Sequence, residues 1–224
     1  TRDGSSRVTA EALAEARDEM RLQQELLRAV PSLAPHVELL DRCMAAFPDL
    51  MSGSVPATDV FFPGGSMELL GKVYAGDANA TQLHAAAAEL VAGYAAKLTD
   101  TPRILEIGAG TGGTTVHVLE ALRKVGRSCE YLFTDLSPRF LKEAQRRFEG
   151  EGVAVRTAVL DISREPSEQG LGSQAFDVIV ASNVLHATSD MRVTMAHCVS
   201  LLAPGGRIVI NEMTAARDYA TLTF

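Results

Sequence analysis

An imidazole and four carboxylates stand where this sequence passes from apolar runs into loops. His186 lies in ASNVLHAT and Glu212 in IVINE. A carboxylate next to an imidazole selects which ring nitrogen carries the proton and stabilises the protonated ring, leaving the second nitrogen as a general base. The plain alternative is a histidine capping a helix and a glutamate exposed at a strand end. No second His or Cys stands at ligand spacing, so no metal is expected. His36, His84, His117 and His197 fall on helical stretches, where packing or surface roles account for them.

The stretch ILEIGAGTGGTT, residues 104–115, holds Gly108, Gly110 and Gly113 in the G-x-G-x-x-G spacing of dinucleotide-binding loops. Glycines at a strand-to-helix junction permit a tight turn and close approach of backbone to ligand. Glu106, two residues before the first glycine, discriminates between ligands. Its charge would repel a pyrophosphate and favours a cofactor that carries an ammonium and a sulfonium, as S-adenosylmethionine does. A glutamate simply pointing to solvent remains the alternative. Asp135, in FTDLSP, follows Gly110 by twenty-five residues, where a carboxylate can accept both ribose hydroxyls. Asp161, in VLDIS, could accept from an adenine amino group while Ile162 packs on the ring. Either aspartate would also serve as an ordinary helix N-cap.

These residues need a scaffold that brings them to one edge. After Pro102, short runs rich in Val, Ile, Leu and Phe (residues 103–107, 130–134, 153–159, 176–181 and 207–211) alternate with helical stretches at 113–125, 138–148 and 191–202. Strand alternating with helix predicts an α/β fold, a parallel sheet covered on both faces. In a sheet of order 3-2-1-4-5 the fourth and fifth strands are neighbours roughly 4.8 Å apart. His186 and Glu212 would then leave adjacent carboxyl ends, the edge where open α/β sheets bind ligands. Pro204-Gly-Gly206 reads as a stop to the last helix.

Residues 1–100 read as helices throughout, a cap over a core at 101–224. Val8 to Val30 carries Leu13, Met20 and Leu27 seven apart on one face, and Pro31 stops it. A second helix over 34–47 gives way at Pro48 to a loop with Gly53, Pro56 and Pro63-Gly-Gly65. Helical runs at 67–74 and 81–97 follow.

Bulk properties narrow the partners. The 224 residues, 46% apolar, suffice for one full core and a smaller unit. A net charge of -7 offers no broad footprint for nucleic acid. Cys43, Cys129 and Cys198 form no CxxC pair, which suits a reducing, cytoplasmic setting. No apolar run approaches bilayer length, so no membrane partner is expected, and the polar opening Thr1 to Ser6 reads as the start of a domain cut from a longer chain.

Taken together, ILEIGAGTGG, FTDLSPRFL, VLDISREPSEQG, FDVIVASNVLHATSDM and LLAPGGRIVINE resemble the methyltransferase domains embedded in polyketide synthases. DVFFPGGSMELL is similar to the loop before their cofactor-binding core, and the similarity runs from about Leu40 to Glu212. The resemblance implies a Rossmann-like class I methyltransferase fold behind an N-terminal helical lid. It implies an S-adenosylmethionine site at Glu106, Gly108, Ala109, Gly110, Asp135, Leu136, Asp161, Ile162 and Asn183, with His186 and Glu212 as catalytic dyad. The implied substrate is an acyl chain held as a thioester on the phosphopantetheine arm of an acyl carrier protein, the other partners being neighbouring synthase domains. The wider fold adds two strands after the fifth, whereas the sequence stops twelve residues past Glu212.

The dyad serves two reactions. It could take the acidic α-proton of a β-ketothioester, so that an enolate carbon is methylated, or the proton of a β-hydroxyl as the oxygen attacks. Carbon-methylating members usually carry a longer lid before FPGGS and an aromatic-Asn pair in the helix after it. The lid here has some sixty residues and the helix reads ATQLHAAAAELV, so the expectation leans to oxygen. A non-catalytic module and a nicotinamide-dependent reductase are the readings from other classes. Arg139, Lys142, Arg146 and Arg147 gather on one predicted helix, a solvated face or a docking site for an acidic carrier protein.

Overall fold

The computed structural model describes residues 10–66, 68–76, 78–150 and 154–214. Thr1 to Ser6, Val8 and Val153 lie outside them. The chain divides after Asp77 into a helical unit and a sheet unit, Ala78–Ala216.

The helical unit contains α1 (Ala10–Ala29), α2 (Ala34–Ser52), α3 (Ala57–Phe61) and α4 (Glu68–Gly76). Leu39, Cys43, Val60, Leu69, Leu70 and Val73 form its buried cluster. α2 runs through Pro48, the expected stop, and ends where Gly53 turns left-handed at φ 72°. Pro48 forgoes one amide bond, but Gly53 closes the last turn by donating to the carbonyls of Asp49 and Leu50. The expected seven-residue stripe on α1 is not a buried face at Met20, which is 56% exposed.

In the sheet unit, α5 (Ala78–Ala95) precedes β1 (Arg103–Ile107), α6 (Gly113–Lys124), β2 (Glu130–Asp135), α7 (Pro138–Phe148), β3 (Ala154–Val159), β4 (Phe176–Ser182), α8 (Met191–Leu201) and β5 (Leu202–Asn211). All neighbours pair in parallel in the order β3-β2-β1-β4-β5. The alternation of side chains along each strand divides the core into two layers. Ile104, Tyr131, Phe133, Val178 and Val180 face one layer, against Val91 and Ala95 of α5, Val118 and Leu122 of α6 and Leu141 and Phe148 of α7. Leu105, Ile107, Leu132, Ile179 and Ala181 face the other, against Cys198 and Leu201 of α8. Burying each large apolar side chain contributes roughly 1.5–3 kcal/mol.

Two boundaries move from their expected places. α5, read as part of the cap, packs in the sheet unit because Ala88, Val91, Ala92 and Ala95 put one small-residue face into its core. Pro204-Gly-Gly206 does not stop a helix, since α8 has already ended at Leu201. It forms a bulge inside β5, where Phe176 pairs with Leu202 and Val178 with Arg207. Gly206 is required there, because a Cβ would lie 2.9 Å from the Ala203 carbonyl oxygen. Proline and glycine are compatible with a strand bulge of this kind.

Candidate functional site

The loop from Gly108 to Gly112 joins β1 to α6. Gly108 has φ 58°, and a Cβ on it would stand 2.2 Å from Cγ2 of Val184, so no other residue fits. The loop is pinned from two sides. The Ala109 amide donates to the Thr134 carbonyl at 2.9 Å, and Arg147 Nη1 donates to the Thr111 carbonyl at 3.0 Å.

Glu106, on β1 beneath this loop, is 1% exposed. Its Oε2 accepts from the Thr115 hydroxyl in the first turn of α6 and from the Tyr131 hydroxyl on β2, each at 2.5 Å. Burial pushes its carboxyl up to about 7, against the pull of these two donors and with a further push from Asp135. Tyr131 and Thr115 carry no motif of their own. The available signal was that residue 131 shares a strand face with Asp135, and that residue 115 opens the helix after the glycines.

Asp135 ends β2, and its two carboxylate oxygens accept from the Gly110 amide at 2.9 Å and the Ser137 amide at 2.8 Å. The glycine loop and the second strand are thereby tied together. Leu136 beside it is 64% exposed. The Leu160 amide donates to the Asp135 carbonyl at 3.4 Å, which sets Asp161 next along the rim. Asp161 Oδ1 accepts from the amide and hydroxyl of Ser163, at 3.0 and 2.5 Å. Ile162 departs from its expected role as a ring-packing residue. It is 4% exposed and its side chain packs in the second core layer, while its carbonyl lies 2.9 Å from His197 Nδ1.

His186 sits on a single 3-10 turn, Leu185–Ala187, after β4. Its Nδ1 is 2.6 Å from Oε2 of Glu212, just past β5. The other oxygen of Glu212 accepts from the amides of Val184 and Leu185 at 2.8 and 2.7 Å. One carboxylate therefore holds both the ring and the turn that carries it. The His186 side chain is 45% exposed and that of Glu212 15%, so the ring is the more open of the two and its anchor the more enclosed. Asn183 adopts a left-handed φ of 55°, which asparagine tolerates, and its amide donates to the Asn211 carbonyl at 2.7 Å.

The expected residues meet through these contacts: Asp135 holds Gly110, Val184 covers Gly108, and Glu212 holds Val184 and His186. Glu106 lies one layer below. The arrangement can seat a cation-bearing nucleoside beside an oriented imidazole. A separate hollow of about 460 Å³, lined by Arg103, Glu130, Leu132 and Phe176, opens toward the amino ends of the strands and holds none of these groups.

Comparison with known proteins gives the family and the fold. Residues 105–208 match a family described as a methyltransferase domain. The chain is 45% identical over 198 residues to the polyketide synthase ThaQ of Burkholderia thailandensis, covering 85% of the chain and 10% of ThaQ. Among solved structures, the CurJ carbon methyltransferase superposes with a TM-score of 0.84 at 34% identity, covering 91% of this chain and 54% of that one. The DszA carbon methyltransferase gives 0.81 at 38%, covering 93% and 54%. The trans-methyltransferase CalH, in complex with S-adenosylhomocysteine, gives 0.75 at 33%, covering 92% and 57%. The parallel sheet with helices on both faces is thus the class I methyltransferase fold. The chain belongs to the S-adenosylmethionine-dependent methyltransferase domains of polyketide synthases. It spans about half the length of those solved structures and a small fraction of the synthases.

Proposed function

We propose that this domain methylates the α-carbon of a β-ketoacyl thioester carried by an acyl carrier protein, with His186 as general base and Glu212 as its orienting partner. The observation that supports the roles of His186 and Glu212 is the 2.6 Å contact between His186 Nδ1 and Glu212, made by a carboxylate whose second oxygen is already committed to the turn. The oxygen expected from the short lid gives way to carbon, because CurJ and DszA, at 34% and 38% identity, are carbon methyltransferases.

The residues fit S-adenosylmethionine by their chemistry. The rim supplies the carboxylates Asp135 and Asp161 and, below them, Glu106, a set of acceptors suited to hydroxyls and cations rather than to a pyrophosphate. Gly110 leaves the backbone open for close approach, Gly108 lets the turn pass under Val184, and Ala109, Leu136 and Asn183 would contribute to the same site. When bound, this cofactor supplies an electrophilic methyl group.

The chain's own part is orientation and proton removal. Glu212 accepts the Nδ1 proton of His186, which makes Nε2 the basic nitrogen. Nε2 takes the α-proton, acidified by the flanking ketone and thioester, and Glu212 stabilises the imidazolium that results. The carbon left behind is the nucleophile. Neighbouring synthase domains and the carrier protein would deliver it.

The test is to incubate the chain with S-adenosylmethionine and matched β-ketoacyl and β-hydroxyacyl carrier-protein substrates, then locate the added mass by fragmentation. Methylation at carbon of the ketoacyl substrate alone is expected. A methyl ether on the hydroxyacyl substrate would restore the oxygen reading.

A further inference from the structure

Beneath the cofactor rim lies a cluster that neither the fold nor the dyad explains. Glu106 is completely enclosed, yet one of its oxygens takes two hydroxyl hydrogen bonds, from Thr115 on α6 and Tyr131 on β2. Its own carbonyl takes a third, from the Thr134 hydroxyl at 2.6 Å. A buried carboxylic acid would need only one acceptor for its proton, whereas two donors converging on one oxygen complement a carboxylate. Tyr131 and Thr134 are themselves 0% exposed, so the donors cannot turn to water.

The titratable groups around Glu106 are Tyr131, Cys129 and Asp135, with the His84 ring of α5 against Gly113 in the turn that carries Thr115 and 6.0 Å from His117 on α6. Tyr131 stays a donor, since burial and Glu106 hold its phenol well above the ordinary range. Behind it, burial pushes Cys129 up to about 11, so that thiol stays neutral. Asp135 adds a like charge from the end of the same strand. From β4 the register neighbour is the apolar Val180. Among the described residues no cation acts on Glu106. The cluster is therefore short of positive charge, and the missing charge is what an aminoacyl sulfonium brings.

We infer that Tyr131 and Thr115 are positioning residues for the cofactor: they hold Glu106 in the geometry of a carboxylate, so that binding of the cationic aminoacyl end is coupled to loss of the Glu106 proton. This deepens the proposed function and rests on its placement of the cofactor. Without ligand, burial holds the carboxyl at about 7, so at neutral pH both forms are populated. The ammonium of the ligand stabilises only the ionised form, and affinity falls as pH drops below the midpoint, toward tenfold per pH unit. Each hydroxyl lowers that midpoint. Removing one raises it, and affinity at mildly acidic pH is lost earlier.

The probe is S-adenosylhomocysteine, which keeps the ammonium and cannot turn over. Its dissociation constant is measured calorimetrically from about pH 5.5 to about 8.5 for the wild type, Tyr131→Phe, Thr115→Val and Thr115→Ser. The ligand's own α-amino titration is common to every curve, so the difference between variants isolates the protein. Tyr131→Phe and Thr115→Val should each move the bend in the wild-type profile upward by about one pH unit, with affinities converging within about threefold at the alkaline end. Thr115→Ser, which keeps the hydroxyl, should restore the wild-type bend. Thr115 supplies the comparison by itself if Tyr131→Phe does not fold.

Bends that coincide in wild type and both hydroxyl-deleted variants, with tight binding throughout, would overturn the coupling and leave the cofactor site standing. A wild type that binds no S-adenosylhomocysteine at any pH would instead overturn the proposed function.

Discussion

Glu106 and Glu212 leave neighbouring regions of one sheet, and their surroundings make them opposites. Glu106 is closed in on every side and meets only hydroxyls. Glu212, with 15% of its side chain exposed, meets an imidazole and two backbone amides. The first is a carboxyl whose burial opposes its charge, and the second a carboxylate with its hydrogen-bonding partners already in place. What separates them is the availability of donors at the strand end, since charged groups are tolerated in a dry site only when they are paired.

The largest effects should come from the Glu212 side. His186→Ala removes the proposed base and should lower the rate of methyl transfer by about 10²–10⁴, with S-adenosylhomocysteine binding changed less than about threefold. Glu212→Gln is the sharper change. Its amide oxygen can still accept from Val184 and Leu185, so its NH2 must face Nδ1 of His186. The ring then carries its proton on Nε2 and cannot act as base, although the turn stays in place. We expect a rate loss close to that of His186→Ala with an unchanged melting temperature. Single-turnover kinetics on the two proteins decides the matter, and a Glu212→Gln enzyme near wild-type speed would break the contrast between the two carboxylates.

The Glu106 side should reveal itself in stability before catalysis. Its carboxyl ionises near 4.5 in an unfolded chain and at about 7 when folded, so the folded state binds the extra proton between those values. Stability from this group is fully present below pH 4.5 and is lost as pH rises through about 7, by on the order of 1–3 kcal/mol. Asp177 acts in the other direction and in a different window. Arg103 holds its carboxyl low, so its contribution is present in neutral solution and lost in acid. Glu106→Gln should therefore melt higher than wild type at pH 8 and about equally at pH 4, while binding S-adenosylhomocysteine more weakly. A variant less stable than wild type at pH 8 but not at pH 4 would mean that Glu106 holds the fold by its charge.

Much of the scaffold was legible because both faces of the sheet are buried. Continuous apolar runs such as ILEI and FDVIVA have no other use in a chain of this charge, and the glycines between β1 and α6 mark their own turn. The reading failed where a residue's meaning depends on a distant neighbour. Pro204-Gly-Gly206 has the composition of a helix stop and is a strand bulge, set by pairing with β4. Ile162 follows a rim aspartate and points into the core, because the chain turns between them. Tyr131 looks like one more aromatic in a strand. Its hydroxyl has a purpose only once β1 places Glu106 within 2.5 Å of it.

Arg147 offers the finest test, since it touches the loop without touching either carboxylate. Its guanidinium spans from the Thr111 carbonyl, 3.0 Å away, to the ring of Phe148, 5.6 Å from the centroid, and Phe148 in turn backs Gly112. The contact is exposed, so its net worth is about 1 kcal/mol. Arg147→Ala should raise the KM for S-adenosylmethionine by about threefold to fivefold and leave kcat unchanged, because loop order contributes equally to ground state and transition state. Arg147→Lys keeps the charge that a carrier protein would meet and loses the fork that reaches Thr111. If lysine restores the cofactor KM, the residue acts by charge and the basic face of α7 regains its claim as a docking surface. If lysine behaves like alanine, the residue belongs to the glycine loop.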